Sequence, residues 1–156
     1  MDFRKCAVGG TFEFLHKGHR ALLMKAFEIA DKVLIGITSD EFAKFTRETV
    51  EPYEQRIQRL TVFLIRNNFL ERCEVIKIND AIKPAMKPDL QAIVVSPETF
   101  PVAEEINQER TNLGQRTLKV IQIPFVLADD GEPISSTRIK AEEIDAEGRI
   151  VPKAET

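Results

Sequence analysis

Cysteine is scarce in this chain: Cys6 and Cys73 stand far apart, with no C-x-x-C pair and no zinc-type spacing. That excludes a disulfide framework or a structural zinc knot and leaves two buried thiols in a reducing compartment as the expectation. No apolar stretch is long enough to cross a bilayer. The short apolar run after Met1-Asp2-Phe3-Arg4-Lys5 is too brief for a secretory leader. A cytoplasmic protein without a membrane partner is therefore expected. Positive charge is not in excess either. The formal net charge is -3 and the lysines and arginines are scattered, whereas a nucleic-acid surface gathers them on one face, so no nucleic-acid partner is expected. Repeats and low-complexity tracts are absent. Histidine occurs only twice, at His16 and His19, and neither has a nucleophile elbow to serve, which speaks against a Ser-His-Asp hydrolase.

What is present is the composition of a globular protein: 43% hydrophobic and 30% charged residues over 156 positions, enough for one domain with its own core. The expected domain runs over 1–144, followed by a polar, frayed tail at 145–156. Within it, apolar runs with strand character alternate with segments of helical period. Strands are expected at 3–8, 32–38, 73–78, 91–96 and 117–123. The first helix should follow His19, with Leu22, Leu23, Ala26, Phe27 and Ala30 as its core face. A short one should start at Ser39, and a longer one at Glu51-Pro52-Tyr53, burying Ile57, Leu60, Phe63 and Leu64 and ending at Asn67-Asn68. Residues 99–113 and 135–144 complete the helices, with loops expected at 44–50 and 79–89. This alternation implies an α/β fold, a doubly wound, mostly parallel five-stranded sheet with helices on both faces. Ligands of such sheets bind beyond the carboxyl ends of the strands, where the strand order reverses. The turn after the first strand and Ser96-Pro97-Glu98-Thr99 after the fourth should converge there.

Two stretches carry chemistry. Gly9 to His19, GGTFEFLHKGH, places two glycines after a strand and both histidines at the start of a helix. A strand, a glycine turn and a helix N-terminus form an anion site, because backbone N–H groups point outward and the dipole favours negative charge. Ile134-Ser135-Ser136-Thr137-Arg138-Ile139-Lys140 sets three hydroxyls before a helix with cations in its first turns. Cations there oppose the helix dipole, a cost that a polyanionic ligand reverses.

The Gly10-Thr11-Phe12 lead-in to His16-Lys17-Gly18-His19 resembles the H-x-G-H signature of the nucleotidylyltransferase superfamily. Ile134-Ser135-Ser136-Thr137 resembles its second signature, which leads into a helix that holds nucleotide phosphates. With both in the family's order, the chain is identified as a member, with the Rossmann-like fold of that superfamily. Residues 33–40, 51–56, 94–99, 106–110 and 134–149 look like the archaeal phosphopantetheine adenylyltransferases, and the likeness covers nearly all of the chain except the tail. It implies transfer of AMP from ATP to 4′-phosphopantetheine, releasing pyrophosphate and dephospho-coenzyme A, with Mg²⁺ carried largely by the ATP phosphates and no metal site of the protein's own. The partners implied are ATP and 4′-phosphopantetheine, bound by a monomer or small homo-oligomer.

The same resemblance assigns the site. Gly9, Gly10, Thr11, Phe12, His16, Gly18, His19, Ser96, Glu98, Ile134, Ser135, Ser136, Thr137 and Arg138 are the expected nucleotide-binding residues. His19, and secondarily His16, should meet the α-phosphate, Thr11 should bridge donor and acceptor phosphates, and Lys44 should neutralise the acceptor, with Lys83 and Lys87 as rivals. The chain departs from the pattern at Glu13, where many members have Asp, and at Ser96-Pro97-Glu98, where bacterial enzymes carry arginines. Other readings are a superfamily member making FAD or a cytidylyl-activated alcohol, and a nucleotide sensor without turnover.

Overall fold

The computed structural model describes residues 2–152. Five strands, β1 (Phe3–Gly10), β2 (Ala30–Thr38), β3 (Cys73–Ile78), β4 (Ala92–Val95) and β5 (Lys119–Gln122), pair in the order β3-β2-β1-β4-β5. Every pairing is parallel. The helices are α1 (Lys17–Ile29), α2 (Asp40–Ala43), α3 (Tyr53–Arg66), α4 (Phe100–Asn112) and α5 (Ser136–Lys140). The chain winds outward from β1 through β2 to β3, then returns to the other side of β1 for β4 and β5. The order thus reverses between β1 and β4, and the crevice of a doubly wound sheet opens there.

Strand periodicity divides the core into two layers. Cys6, Val8, Val33, Ile35 and Ile37 face α1 and α3, packing against Leu23, Phe27, Leu60 and Leu64. Ala7, Leu34, Ile93 and Val95 face the opposite side, against Ala103 and Ile106 of α4. Both faces of the central strands are covered, which is why β2 and β4 read as nearly continuous apolar runs. Both cysteines are free: Cys6 is buried, which pushes its thiol up to about 12, while Cys73 is only half-buried.

Three expectations change. Ala30 does not close the core face of α1; it is the first residue of β2, fully buried, and pairs with Phe3. The helix stops because Ala30 turns extended (φ -133°) while its N–H still closes the last turn onto Ala26. The final helix is also shorter than 135–144. It ends at Lys140, Glu142 adopts φ +59°, and Ile144 packs in a small third cluster with Ala128 and Ile134.

The residues after it are not frayed. Asp145 accepts from the N–H groups of Glu147 and Arg149, Ile144 bridges Ile150, and Ala146 O accepts from Lys17 N. Gly148 is required in this turn: its φ is +80°, and a Cβ would come within 2.7 Å of Ile134 Cδ1 and 3.0 Å of Ala128 Cα. Polar composition marks this segment as surface, but Asx-type turns and one glycine order it. The last four residues of the expected tail lie outside the described residues. Among those described, no helix is long and apolar enough to cross a membrane.

Candidate active site

β1 runs two residues further than the apolar pattern alone suggested, pairing Gly9 with Gly36 and Gly10 with Ile37 before the backbone leaves the sheet. It then folds through Phe12 (φ 55°), Phe14 (φ 62°) and Leu15 (φ 41°), three non-glycine residues in the left-handed region. Such backbone persists only where its surroundings pin it. Here the Phe12 and Leu15 side chains are buried, Glu13 is fully buried, and Phe14 N donates to Glu51 Oε1.

This turn delivers His16 to the N-cap of α1. His16 Nδ1 accepts from Gly18 N (3.1 Å) and His19 N (3.3 Å), and His19 Nδ1 accepts from His16 N (3.2 Å). The two imidazoles form a reciprocal capping box, with rings stacked at 3.6 Å and 16°. Gly18 is required beside them, since a Cβ there would lie 2.9 Å from His16 Cε1. Because each Nδ1 accepts, the ring proton of a neutral imidazole sits on Nε2. Capping and catalysis are therefore not alternatives: one nitrogen of each ring orders the helix and fixes the tautomer, and the other is a donor.

Burial, aided by Arg20 and Arg47, lowers His16 to about 4; burial, with His16, Arg47 and Arg20, holds His19 well below its ordinary value. Both rings are neutral at physiological pH. The unfolded chain binds protons near pH 6.5 that the folded chain refuses, so stability is full above that pH and falls as pH drops below it. For buried His16 alone the expected loss is about 2 kcal/mol by pH 5. Urea unfolding between pH 7 and pH 5 checks this: His16→Asn, which keeps an N-cap acceptor, should show a shallower decline than wild type. Equal slopes would contradict it.

Around the histidines lies a polar cleft of ≈ 870 Å³. Of the residues expected from the sequence, it brings together Gly9, Gly10, Thr11, Phe12, His16, Gly18, His19, Ser96, Glu98, Ile134, Ser135, Ser136 and Thr137. Ile123, Pro124, Phe125 and Val126 form an apolar rim. Arg138 is not among the lining residues: its guanidinium binds the Asp130 and Glu143 carboxylates and Pro133 O, tying the turn at 129–131 to α5. Lys44, the exposed C-cap of α2, lines neither this cleft nor the next. Lys87 pairs with Glu74, and Lys83 stands in the short turn Lys83–Met86. A residue that sequence reasoning missed, Arg47, does line the cleft; its only signal was a cation in a connection without periodicity.

A second, apolar cleft of ≈ 700 Å³ adjoins the first and shares Gly9, Gly10 and Thr99 with it. Its walls include Gly36, Ile78, Pro84, Ala85, Val102 and Ile106. Buried Arg110 secures one wall, donating from Nη1 to Ala85 O (2.8 Å) and Lys87 O (3.1 Å). Arg56 of α3, fully buried, does the same behind Thr11 of the polar cleft. Its Nε donates to Glu51 O (2.7 Å), Nη1 to Thr11 O (2.9 Å) and Thr38 O (2.8 Å), and Nη2 to Asp40 Oδ1 (2.7 Å). Among the described residues no group of three or more His, Cys, Asp or Glu could hold a metal ion. Glu98 is the one carboxylate lining the polar cleft, a donor set that fits a Mg²⁺ held mainly by substrate phosphates rather than by a protein cage.

Comparison with known proteins agrees with this architecture. The cytidylyltransferase-like family model matches residues 7–142. A phosphopantetheine adenylyltransferase of Methanosarcina mazei is 46% identical over 153 residues, covering 96% of this chain and 99% of that protein. One from Pyrococcus abyssi is 45% identical, covering 98% and 99%. Among solved structures, a protein of unknown function from Archaeoglobus fulgidus superposes with a TM-score of 0.70 at 35% identity, covering 76% of this chain and 88% of that one.

Proposed function

The chain belongs to the cytidylyltransferase-like family, among the phosphopantetheine adenylyltransferases, and from that premise we propose that it transfers AMP from ATP to 4′-phosphopantetheine. The products are dephospho-coenzyme A and pyrophosphate, a step of coenzyme A biosynthesis. The observation that supports this most strongly is the junction of the two clefts at Gly9 and Gly10. One is lined by hydroxyls and two neutral imidazoles, suited to phosphates; the other is apolar, suited to a pantetheine arm. Their shared wall is where a phosphate on that arm meets the nucleotide.

The acceptor phosphate oxygen attacks the α-phosphorus of ATP. The new P–O bond forms as the bond to the β-phosphate bridging oxygen breaks, and pyrophosphate leaves with that electron pair. No covalent enzyme intermediate is needed, so the protein's contribution is positioning and charge stabilisation. His19 and His16 donate from Nε2 to α-phosphate oxygens as their charge grows. Thr11, whose Oγ1 accepts from Thr38 Oγ1 at 3.0 Å, lies between donor and acceptor phosphates. Ser135, Ser136 and Thr137 receive the β- and γ-phosphates, and the rim at 123–126 receives the adenosine. Glu98 and the hydroxyls of Ser135, Ser136 and Thr137 would be the protein groups to hold a Mg²⁺ or its waters, and the ion would supply positive charge to offset that of the phosphates. A cytoplasmic location goes with this reading.

Pyrophosphate release tests it, with ATP or CTP as donor and 4′-phosphopantetheine, flavin mononucleotide or a polyol phosphate as acceptor. Turnover is expected with ATP and 4′-phosphopantetheine. Preference for another pair would overturn the acceptor assignment, and binding without release would make the chain a nucleotide sensor. Lys44 lines neither cleft, so in the same assay Lys44→Ala should leave the KM for the acceptor near that of wild type, and a clear rise would return the acceptor phosphate to Lys44.

A further inference from the structure

Behind Arg47, which lines the polar cleft, lies a buried carboxylate that the reaction above leaves without a task. Glu13 is 0% exposed, and a glutamate is almost never fully buried unless paired. It is paired twice: Arg47 Nη1 lies 2.7 Å and Lys140 Nζ 3.0 Å from Oε1, while Glu51 N donates to Oε2 at 2.8 Å. Burial alone would raise its pKa, but the Glu51 N–H, Lys140 and Arg47 together hold the carboxyl below its ordinary value. Lys140 Nζ also donates to Thr49 O at 2.6 Å. One carboxylate thus joins three segments distant in sequence: the turn after β1, the connection between α2 and α3, and the end of α5.

The charges in this cluster do not balance. Glu13 and Glu51 face Arg47, Lys140 and Arg59, which binds Glu51 Oε2 at 2.9 Å, so two acids meet three cations. Arg47 is also the cluster member that lines the cleft, alongside Thr11, His16, His19 and Ser135. Its side chain is 31% exposed, and among the described residues Glu13 is its one hydrogen-bond acceptor. A guanidinium has five N–H donors, so most of them remain available to an anion in the cleft.

We propose that Arg47 binds a phosphate of the reacting substrates, and that Glu13 is the positioning residue that holds Arg47 against the cleft and, through Lys140, fastens α5 to the same wall. The proposal rests on the phosphate-transfer reading above. A charged hydrogen bond to phosphate also predicts where the loss should fall. If Arg47 meets the ATP phosphates, its removal raises the KM for ATP; if it meets the acceptor phosphate, the KM for 4′-phosphopantetheine rises instead.

The test uses wild type, Arg47→Ala, Arg47→Lys, Glu13→Gln and the Glu13→Gln/Arg47→Ala double variant, with both KM values, kcat and thermal midpoint for each. Inorganic tripolyphosphate binding by calorimetry gives a readout independent of turnover. Arg47→Ala should lose roughly 10–100-fold in kcat/KM, weaken tripolyphosphate if the ATP phosphates are its target, and lower the thermal midpoint only in part, since Lys140 and the Glu51 N–H still pair Glu13. Arg47→Lys should recover part of the loss. Glu13→Gln should lose activity per folded molecule, and adding it to Arg47→Ala should cost little more, because the two act as one unit. An Arg47→Ala enzyme with both KM values, kcat and tripolyphosphate affinity intact would overturn the proposal, and so would losses that multiply in the double variant. If Glu13→Gln does not fold, the partly exposed Arg47 variants still decide the binding role. Absence of turnover in wild type, with tripolyphosphate binding still dependent on Arg47, would instead reject the functional reading and leave the phosphate site standing.

Discussion

His19→Ala is expected to lower kcat about 10²–10³-fold while changing the KM for ATP far less, as when one preorganised donor to a developing oxyanion is removed. The expectation rests on the division of labour within the ring. Nδ1 accepts from His16 N at 3.2 Å, which commits the proton to Nε2 and aims a neutral donor into a cleft lined by hydroxyls. Because the ring is neutral, it can strengthen its bond as charge builds on the α-phosphate oxygens without first binding them as a fixed ion pair. Truncation also removes the capping acceptor and the stacked partner of His16, so a stability loss of about 1 kcal/mol accompanies the kinetic one. Thermal midpoint and single-turnover rate on one preparation separate the two effects. A destabilised enzyme with a normal rate per folded molecule would leave His19 a helix cap and nothing more.

Arg56→Met is expected to be the most destabilising single change, at roughly 3–5 kcal/mol, the range for breaking a buried charged network from one side. The substitution keeps the bulk of the side chain but strands acceptors on three segments, Glu51 O, Thr11 O and Thr38 O, and leaves Asp40 with Tyr53 N but without its charged partner. Lysine should not rescue it, since one point charge cannot reproduce a planar fork that reaches four acceptors. Urea or thermal denaturation reads the loss directly. A change below about 1 kcal/mol would mean that these segments are held by packing alone. The same variant should also impair turnover, because Arg56 fixes the carbonyl of Thr11, the residue proposed to lie between the donor and acceptor phosphates.

The parts of the fold legible in the sequence were those set by local pattern. β3 matches its expected bounds and α2 starts at the expected Ser39 cap, whose Oγ accepts from Phe42 N. The alternation of apolar strands and amphipathic helices was enough to indicate a parallel sheet with its crevice beyond β1 and β4. Most of the residues lining the polar cleft were legible too, because they are contiguous in two short motifs rich in glycine, histidine and hydroxyls.

What escaped depends on contacts between distant segments. Ala30 carries no side-chain signal that tells the end of a helix from the start of a strand. Asp145 to Ile150 reads as solvated charge until its Asx turn and the αL glycine are seen against Ile134. Arg47 and Glu13 lie 34 positions apart and Glu13 and Lys140 127 apart, so the buried carboxylate with two cations has no expression in any local window. Arg56 and Arg110 carry no local signal of burial, yet each is buried because backbone carbonyls from other segments converge on its guanidinium.

The most direct measurement of the central claim follows the label from ATP. With α-labelled ATP and 4′-phosphopantetheine, the label should appear in dephospho-coenzyme A at the rate of pyrophosphate release, and none should remain on the protein after denaturation. Label bound covalently to the chain, or pyrophosphate released without a labelled pantetheine product, would contradict direct in-line transfer at the junction of the two clefts.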